Sequence, residues 1–180
     1  MSGRFVHPIT ALIIFILASC SGAPTDFKGT WNATPGYHEV VNSVYKVRLT
    51  PQKGSNSYYA FFLLSLVNNS GTALSIDWNA SRYVHGGKPE GRLVFEGIDP
   101  QAVKTHTVPI ESIPPGGQLE RKLMPMRLIA WNPIKEKTAD ARGIAPGMLP
   151  AGENGVLLSL RQAGGSPQTI SLSVSLSIEK

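Results

Sequence analysis

Beyond about residue 40 the chain alternates apolar and polar residues with a period of two. Val44 to Leu49 reads VYKVRL, and Leu74, Ile76 and Trp78 share one face with Ser75, Asp77 and Asn79 opposite. A period of two belongs to strands, since successive strand side chains point to opposite faces. Ser57 to Val67 is apolar on both faces, as a central strand would be. The clearest pattern closes the chain: Ile170, Leu172, Val174, Leu176 and Ile178 alternate with Thr169, Ser171, Ser173, Ser175 and Ser177. That pattern predicts an antiparallel strand with one face buried and one wet. Its hydroxyl face has no charge to deter pairing, so it is expected inside its sheet rather than at an edge. Further strands are predicted at 82–85, 92–96, 106–110, 119–123, 127–131 and 154–161, with no helical stretch of any length. Turn chemistry punctuates them: Asn68 to Gly71, Gly86 to Gly91, Pro114 to Gly117 and Gly164 to Pro167. Gly86 to Gly91 is read as a hairpin joint between 82–85 and 92–96. Residues 132–152 hold prolines and glycines without period and are expected as a long irregular loop. About eight short strands with such punctuation predict an all-β sandwich.

The N-terminus has a different pattern. Arg4 precedes an apolar run from Ile9 to Leu17, too short to span a hydrocarbon core of about 30 Å as a helix. Small residues and a cysteine follow: Leu17-Ala18-Ser19-Cys20. A short apolar run ending in small residues reads as a signal peptide. Leu-Ala-Ser-Cys resembles the lipobox of bacterial lipoprotein precursors. The resemblance implies cleavage before Cys20 and acylation of its thiol, and Ser21 rather than Asp after it implies the outer membrane. The division expected is a signal peptide at 1–19, a lipidated tether at 20–39 and a β-sandwich at 40–180. The tether is read from the Gly, Pro, Thr and Asn content of residues 21 to 37.

Composition then removes function classes. Cys20 is the single cysteine, so an acylated chain has no disulfide, thiol nucleophile or thiolate metal site. Without Arg4 the chain holds 16 basic against 12 acidic residues, and its longest basic cluster is Arg121-Lys122. Nucleic-acid binding calls for a basic stripe with interleaved aromatics, and none is seen. His38, His85 and His106 lie far apart, which predicts no metal site. No cofactor motif is present: there is no G-x-S-x-G elbow, and the glycine-rich stretches sit in hairpin turns rather than between a strand and a helix. The chain is therefore not expected to be an enzyme. The most distinctive polar segment is Asp77 to Tyr83. Trp78 is expected in the core, and Asp77 and Asn79 are expected to staple the following bend. Asp77, Asn79, Arg82 and Tyr83 form the candidate ligand or partner patch.

Four stretches carry a wider resemblance: Asn68-Asn69-Ser70-Gly71, Ile76-Asp77-Trp78-Asn79, Glu96-Gly97-Ile98 and Ile113-Pro114-Pro115-Gly116. Their order over residues 58 to 123 resembles small uncharacterised bacterial lipoproteins with an immunoglobulin-like sandwich. It implies that fold and no activity. The outer-membrane lipoprotein of type VI secretion is similar in size, anchor and sandwich class, but its loop sequences are absent here. A bacterial proteinase-inhibitor family has a similar order of turns, without an inhibitory loop in this chain. The functional expectation is a lipid-anchored, non-enzymatic interaction or assembly module in the cell envelope, with an envelope protein as partner. The alternative is a small-ligand or glycan binder using the Asp77–Tyr83 patch with the 132–152 loop.

Overall fold

A computed structural model describes residues 29–54, 57–131 and 144–179. The segment holding Cys20 and the expected signal peptide lies outside the described residues. The elements in chain order are β1 (Thr30–Thr34), β2 (His38–Val41), β3 (Tyr45–Lys53), β4 (Tyr59–Asn68), β5 (Leu74–His85), β6 (Lys88–Gly91), β7 (Leu93–Phe95) and helix α1 (Pro100–Thr105). They continue with β8 (Glu111–Ile113), β9 (Gln118–Pro125), a 3-10 turn (Met126–Leu128), β10 (Ala130–Trp131), β11 (Ile144–Ala145), β12 (Gly152–Gln162) and β13 (Gln168–Glu179).

One antiparallel sheet has the order β1-β13-β12-β5-β6, with β8 also on β5, and the other has the order β2-β3-β4-β9-β7. They form an immunoglobulin-like β-sandwich. The alternation read from the sequence supplies the core. Val47 and Leu49 of β3, Phe62, Leu64 and Leu66 of β4, Val156 and Leu158 of β12, and Leu172, Val174 and Leu176 of β13 are all buried. Each such side chain contributes about 1.5–3 kcal/mol on burial, and with one cysteine in the chain this interior carries the stability.

β13 does lie inside its sheet, with β12 on one side and β1 on the other. The strand that covers it belongs to the segment expected as tether. Trp31 is buried and pairs across to Ile178, and Thr34 stands opposite Ser175. The folded body therefore includes residues 29–39, which the sequence reading placed in the tether. Trp31 is a lone apolar anchor among polar and turn-forming residues, which concealed the strand. Where β1 leaves β13, the His38 imidazole takes over: its Nδ1 lies 3.0 Å from both the backbone N and O of Ser173. One side chain thus engages backbone groups that an edge would leave open.

Several boundaries differ from the sequence reading. The hairpin turn is Gly86-Gly87 alone, both at positive φ, and β5 pairs with β6. β7, the second strand of the expected hairpin, pairs instead with β9 in the opposite sheet. The chain crosses between sheets at Arg92. Segment 106–110 is not a strand; α1 precedes it and β8 follows it. Asp99 caps α1 by accepting from the Gln101 N–H, and Val103 and Val108 fold inward as a plug over this side of the sandwich. Of the expected 132–152 loop, residues 132–143 lie outside the described residues. Ile144–Ala145 pairs with Ala130–Trp131, and Leu149 is fully buried.

Candidate functional site

The expected patch on β5 divides between surface and interior. Residues 78–81 of β5 stand against Leu158 alone, since Asp77 pairs with Ser159 and Arg82 with Leu157. This bulge reverses the facing of the strand: Leu74, Ile76 and Trp78 are buried before it, and Ser81 and Tyr83 after it. Asp77 Oδ1 accepts from the N–H of Asn79 (2.9 Å) and Ala80 (3.2 Å). Ser81 Oγ donates to Asp77 O at 2.8 Å and accepts from Ser159 N–H at 3.2 Å, replacing ladder bonds that the bulge breaks. Arg82 donates to the carbonyls of Asn79 and Ser81. Asn79 holds Val108 at both backbone atoms, donating to its O at 2.8 Å and accepting from its N at 3.3 Å. Asp77 therefore staples the following bend, as the spacing suggested, whereas the Asn79 side chain ties β5 to Val108 instead.

Tyr83 does not join them. It is fully buried, and its hydroxyl donates to Asn154 Oδ1 at 2.6 Å. Burial pushes the phenol well above its ordinary range, and Glu90 adds to the shift while Arg127 opposes it. The parity change across the bulge sends Tyr83 inward, which simple alternation could not anticipate. Asp77, Asn79 and Arg82 spend these hydrogen bonds on the bulge and on Val108.

The histidines are likewise dispersed. His85 Nε2 donates to Ala151 O at 3.2 Å, and His106 contacts Arg92 beside the C-terminus of α1. Among the described residues no three His, Cys, Asp or Glu side chains are grouped to hold a metal ion. A depression of about 170 Å³ on the outer face of the second sheet is lined by Leu63, Glu96, Glu120, Arg121 and Lys122. Three of these side chains are committed: Lys122 pairs with Glu96 at 3.1 Å, and Arg121 pairs with Glu111 across the two sheets.

A more coherent surface forms at one end of the sandwich. Thr30 pairs with Glu179, so the chain arrives at the end where β13 finishes. Turns gather at the opposite end: 42–44 between β2 and β3, 69–73 between β4 and β5, 114–117 between β8 and β9, and 163–167 between β12 and β13. β13 joins these two poles over 12 residues, about 35–40 Å at the usual strand rise. Charged residues make up 16% of the chain, yet all of these turns consist of Asn, Ser, Thr, Gly, Pro, Ala and Val.

Asn68 organises this pole. It is fully buried. Its Nδ2 donates towards Thr72 O, Ile113 O and Pro114 O at 2.8–3.1 Å, and its Oδ1 accepts from the Ser70 N–H and hydroxyl. Its backbone N–H donates to Gly117 O, and its carbonyl accepts from Gly116 N–H. The neighbouring turns are joined by similar bonds. Asn69 N–H donates to Val44 O, Asn42 Oδ1 accepts from Val44 and Tyr45 N–H, Ala163 N–H donates to Ala73 O, and Gln162 Nε2 donates to Thr72 Oγ1. Gly116 and Gly164 take positive φ, where a Cβ would strain the turns.

The result is a pole with uncharged turns whose shape is set by hydrogen bonds within the fold. A notch of about 20 Å³ between Val44, Tyr45, Leu74, Leu160, Gln162 and Gln168 has room for about one water. The pole suits a surface contact rather than enclosure of a small molecule. Two of the turns that carry the lipoprotein resemblance, 68–71 and 113–116, are those that Asn68 ties together. Parity along β4 was the available signal: Leu64, Leu66 and Asn68 share the buried face. Among the described residues no helix is long and apolar enough to cross a membrane. No protein family, curated protein or solved structure matches this chain.

Proposed function

We propose that the chain is a lipid-anchored protein of the bacterial cell envelope, held in the outer membrane through Cys20. It acts there as a non-enzymatic interaction module. The observation that carries this reading is Leu17-Ala18-Ser19-Cys20 directly after a short apolar run. The geometry supports it. The ten peptide steps from Cys20 to Thr30, where β1 starts, reach at most about 35 Å, so the anchor holds one pole near the bilayer. The turn pole then faces away and is presented to an envelope protein partner. Its Asn, Ser and Gly content, ordered beforehand, keeps the entropy lost on contact low.

Site-specific photocrosslinking in cells tests this. A crosslinking residue at Ser166 on the turn pole is compared with one at Ser171 on the outer sheet face, each with Cys20 or Cys20→Ala. The expected result is one dominant adduct at Ser166 that disappears with Cys20→Ala, and wild-type protein in the outer-membrane fraction. Wild-type protein in the soluble periplasmic fraction would overturn the anchor. Equal adducts at both positions would overturn the turn pole as the contact.

A further inference from the structure

The pole where the chain arrives is unlike the turn pole. Gly29 lies against Ile178, close enough that a Cβ on it would stand 2.4 Å from the Ile178 Cγ2. Ile178 pairs across to Trp31, and Trp31 meets Tyr59 edge-on with ring centroids 6.5 Å apart. Lys53 stands opposite Tyr59 in the ladder and holds its ammonium 5.5 Å from the Tyr59 ring. The Leu149 N–H donates to Tyr59 O at 2.8 Å, which fixes Met148 beside this group. Ile178 and Met148 are 37% and 38% exposed, while Tyr58 and Tyr59 are partly exposed. Two exposed apolar tips, two tyrosines and a lysine stem therefore lie at the end of the sandwich where Gly29 stands, with the exposed Glu179 opposite Thr30.

Such a mixture suits the boundary between headgroups and acyl chains. Tyrosine bodies are apolar with a wet hydroxyl, and a lysine stem lies on apolar surface while its ammonium reaches water. We infer that this pole is a membrane footing: Met148, Ile178, Tyr58, Tyr59 and Lys53 rest in the bilayer interface. The inference depends on the lipid anchor proposed above. The occupant follows from where the chain goes. A ten-step connection to an acylated Cys20 keeps a bilayer surface within reach of this pole at high local concentration, so that even a small apolar contact is populated. The footing then sets the tilt of the domain and directs the turn pole outward.

Acylation of Cys20 leaves the chain without another thiol, so one introduced cysteine takes a label uniquely. Mature acylated protein carrying Met148→Cys or Ser166→Cys is labelled with an environment-sensitive fluorophore. Each is reconstituted in vesicles of phosphatidylethanolamine and phosphatidylglycerol, with and without doxyl-labelled lipid. The expected result is blue-shifted emission at position 148, quenched about twofold by the doxyl lipid, with position 166 unaffected. Acylated protein with equal, water-like emission at both positions would overturn the footing and leave the anchor intact. A blue shift at 148 that rises with protein density and ignores the doxyl lipid would place a second copy there, and also overturns it. Protein lacking acyl mass on Cys20 overturns the anchor and the footing together.

Discussion

Asn68 shows how a single polar side chain governs a whole end of the molecule. It is fully buried, and its backbone and side chain serve both the 69–73 and the 114–117 turns. Asn68→Ala leaves the buried carbonyl of Ile113 without that donor, and an unsatisfied buried group costs about 1–3 kcal/mol. A loss of about 1–3 kcal/mol in urea unfolding is expected on that basis. A loss below about 0.5 kcal/mol, the size of an ordinary surface substitution, would contradict the role given to it. Tyr83 gives a pH prediction. Its phenol is pushed upward in the folded state, chiefly by burial. The folded protein therefore holds this proton more tightly than the unfolded chain does. The associated stability is complete below the ordinary phenol value of about 10 and is lost as pH rises above it. Unfolding midpoints should fall steeply above about pH 10, and Tyr83→Phe should flatten that fall. Tyr83→Phe also costs about 1–3 kcal/mol at neutral pH, because Asn154 Oδ1 loses its donor.

Among the elements, β1 determines whether β13 is an edge. From 169 to 177 the outward residues of β13 are Thr169, Ser171, Ser173, Ser175 and Ser177, with no charge among them until Glu179 at the strand's end. Deleting residues 30–34 should open that edge, and light scattering should then show concentration-dependent association. Adding Ser175→Lys and Ser177→Lys should restore a monomer. A deletion that stays monomeric without the lysines would contradict the shielding role. Much of this architecture was legible in the chain. Alternation located β3, β9 and β13, the apolar run of residues 57–67 located β4, and turn residues located the connections. What escaped had physical causes. β1 carries one buried apolar anchor, Trp31, so periodicity had nothing to register. The bulge at 78–81 reverses parity within β5, so Tyr83 read as part of a surface patch and is buried. α1 is six residues long, shorter than the window in which a helical period can be told from a strand. The turn pole was legible only as separate turns, because its unity comes from hydrogen bonds between residues as distant as Asn68 and Pro114.

At the scale of the whole molecule the sandwich is polarised along its strands. One pole gathers Tyr58, Tyr59, Lys53, Met148 and Ile178 around the point where the chain arrives, and the other is shaped by hydrogen bonds and free of charged residues in its turns. If Cys20 carries the lipid proposed above, that polarity gains a direction, with the first pole towards the bilayer and the second towards the proposed partner. The most direct measurement is the intact mass of the protein purified from membranes of a lipoprotein-processing bacterium, with fragmentation of its N-terminal peptide. The expected mass is that of a chain that starts at Cys20 and carries diacylglycerol on the thiol, and that stays unprocessed and unacylated as Cys20→Ala. A mature wild-type chain that starts at another residue, or one with a free thiol on Cys20, would contradict it.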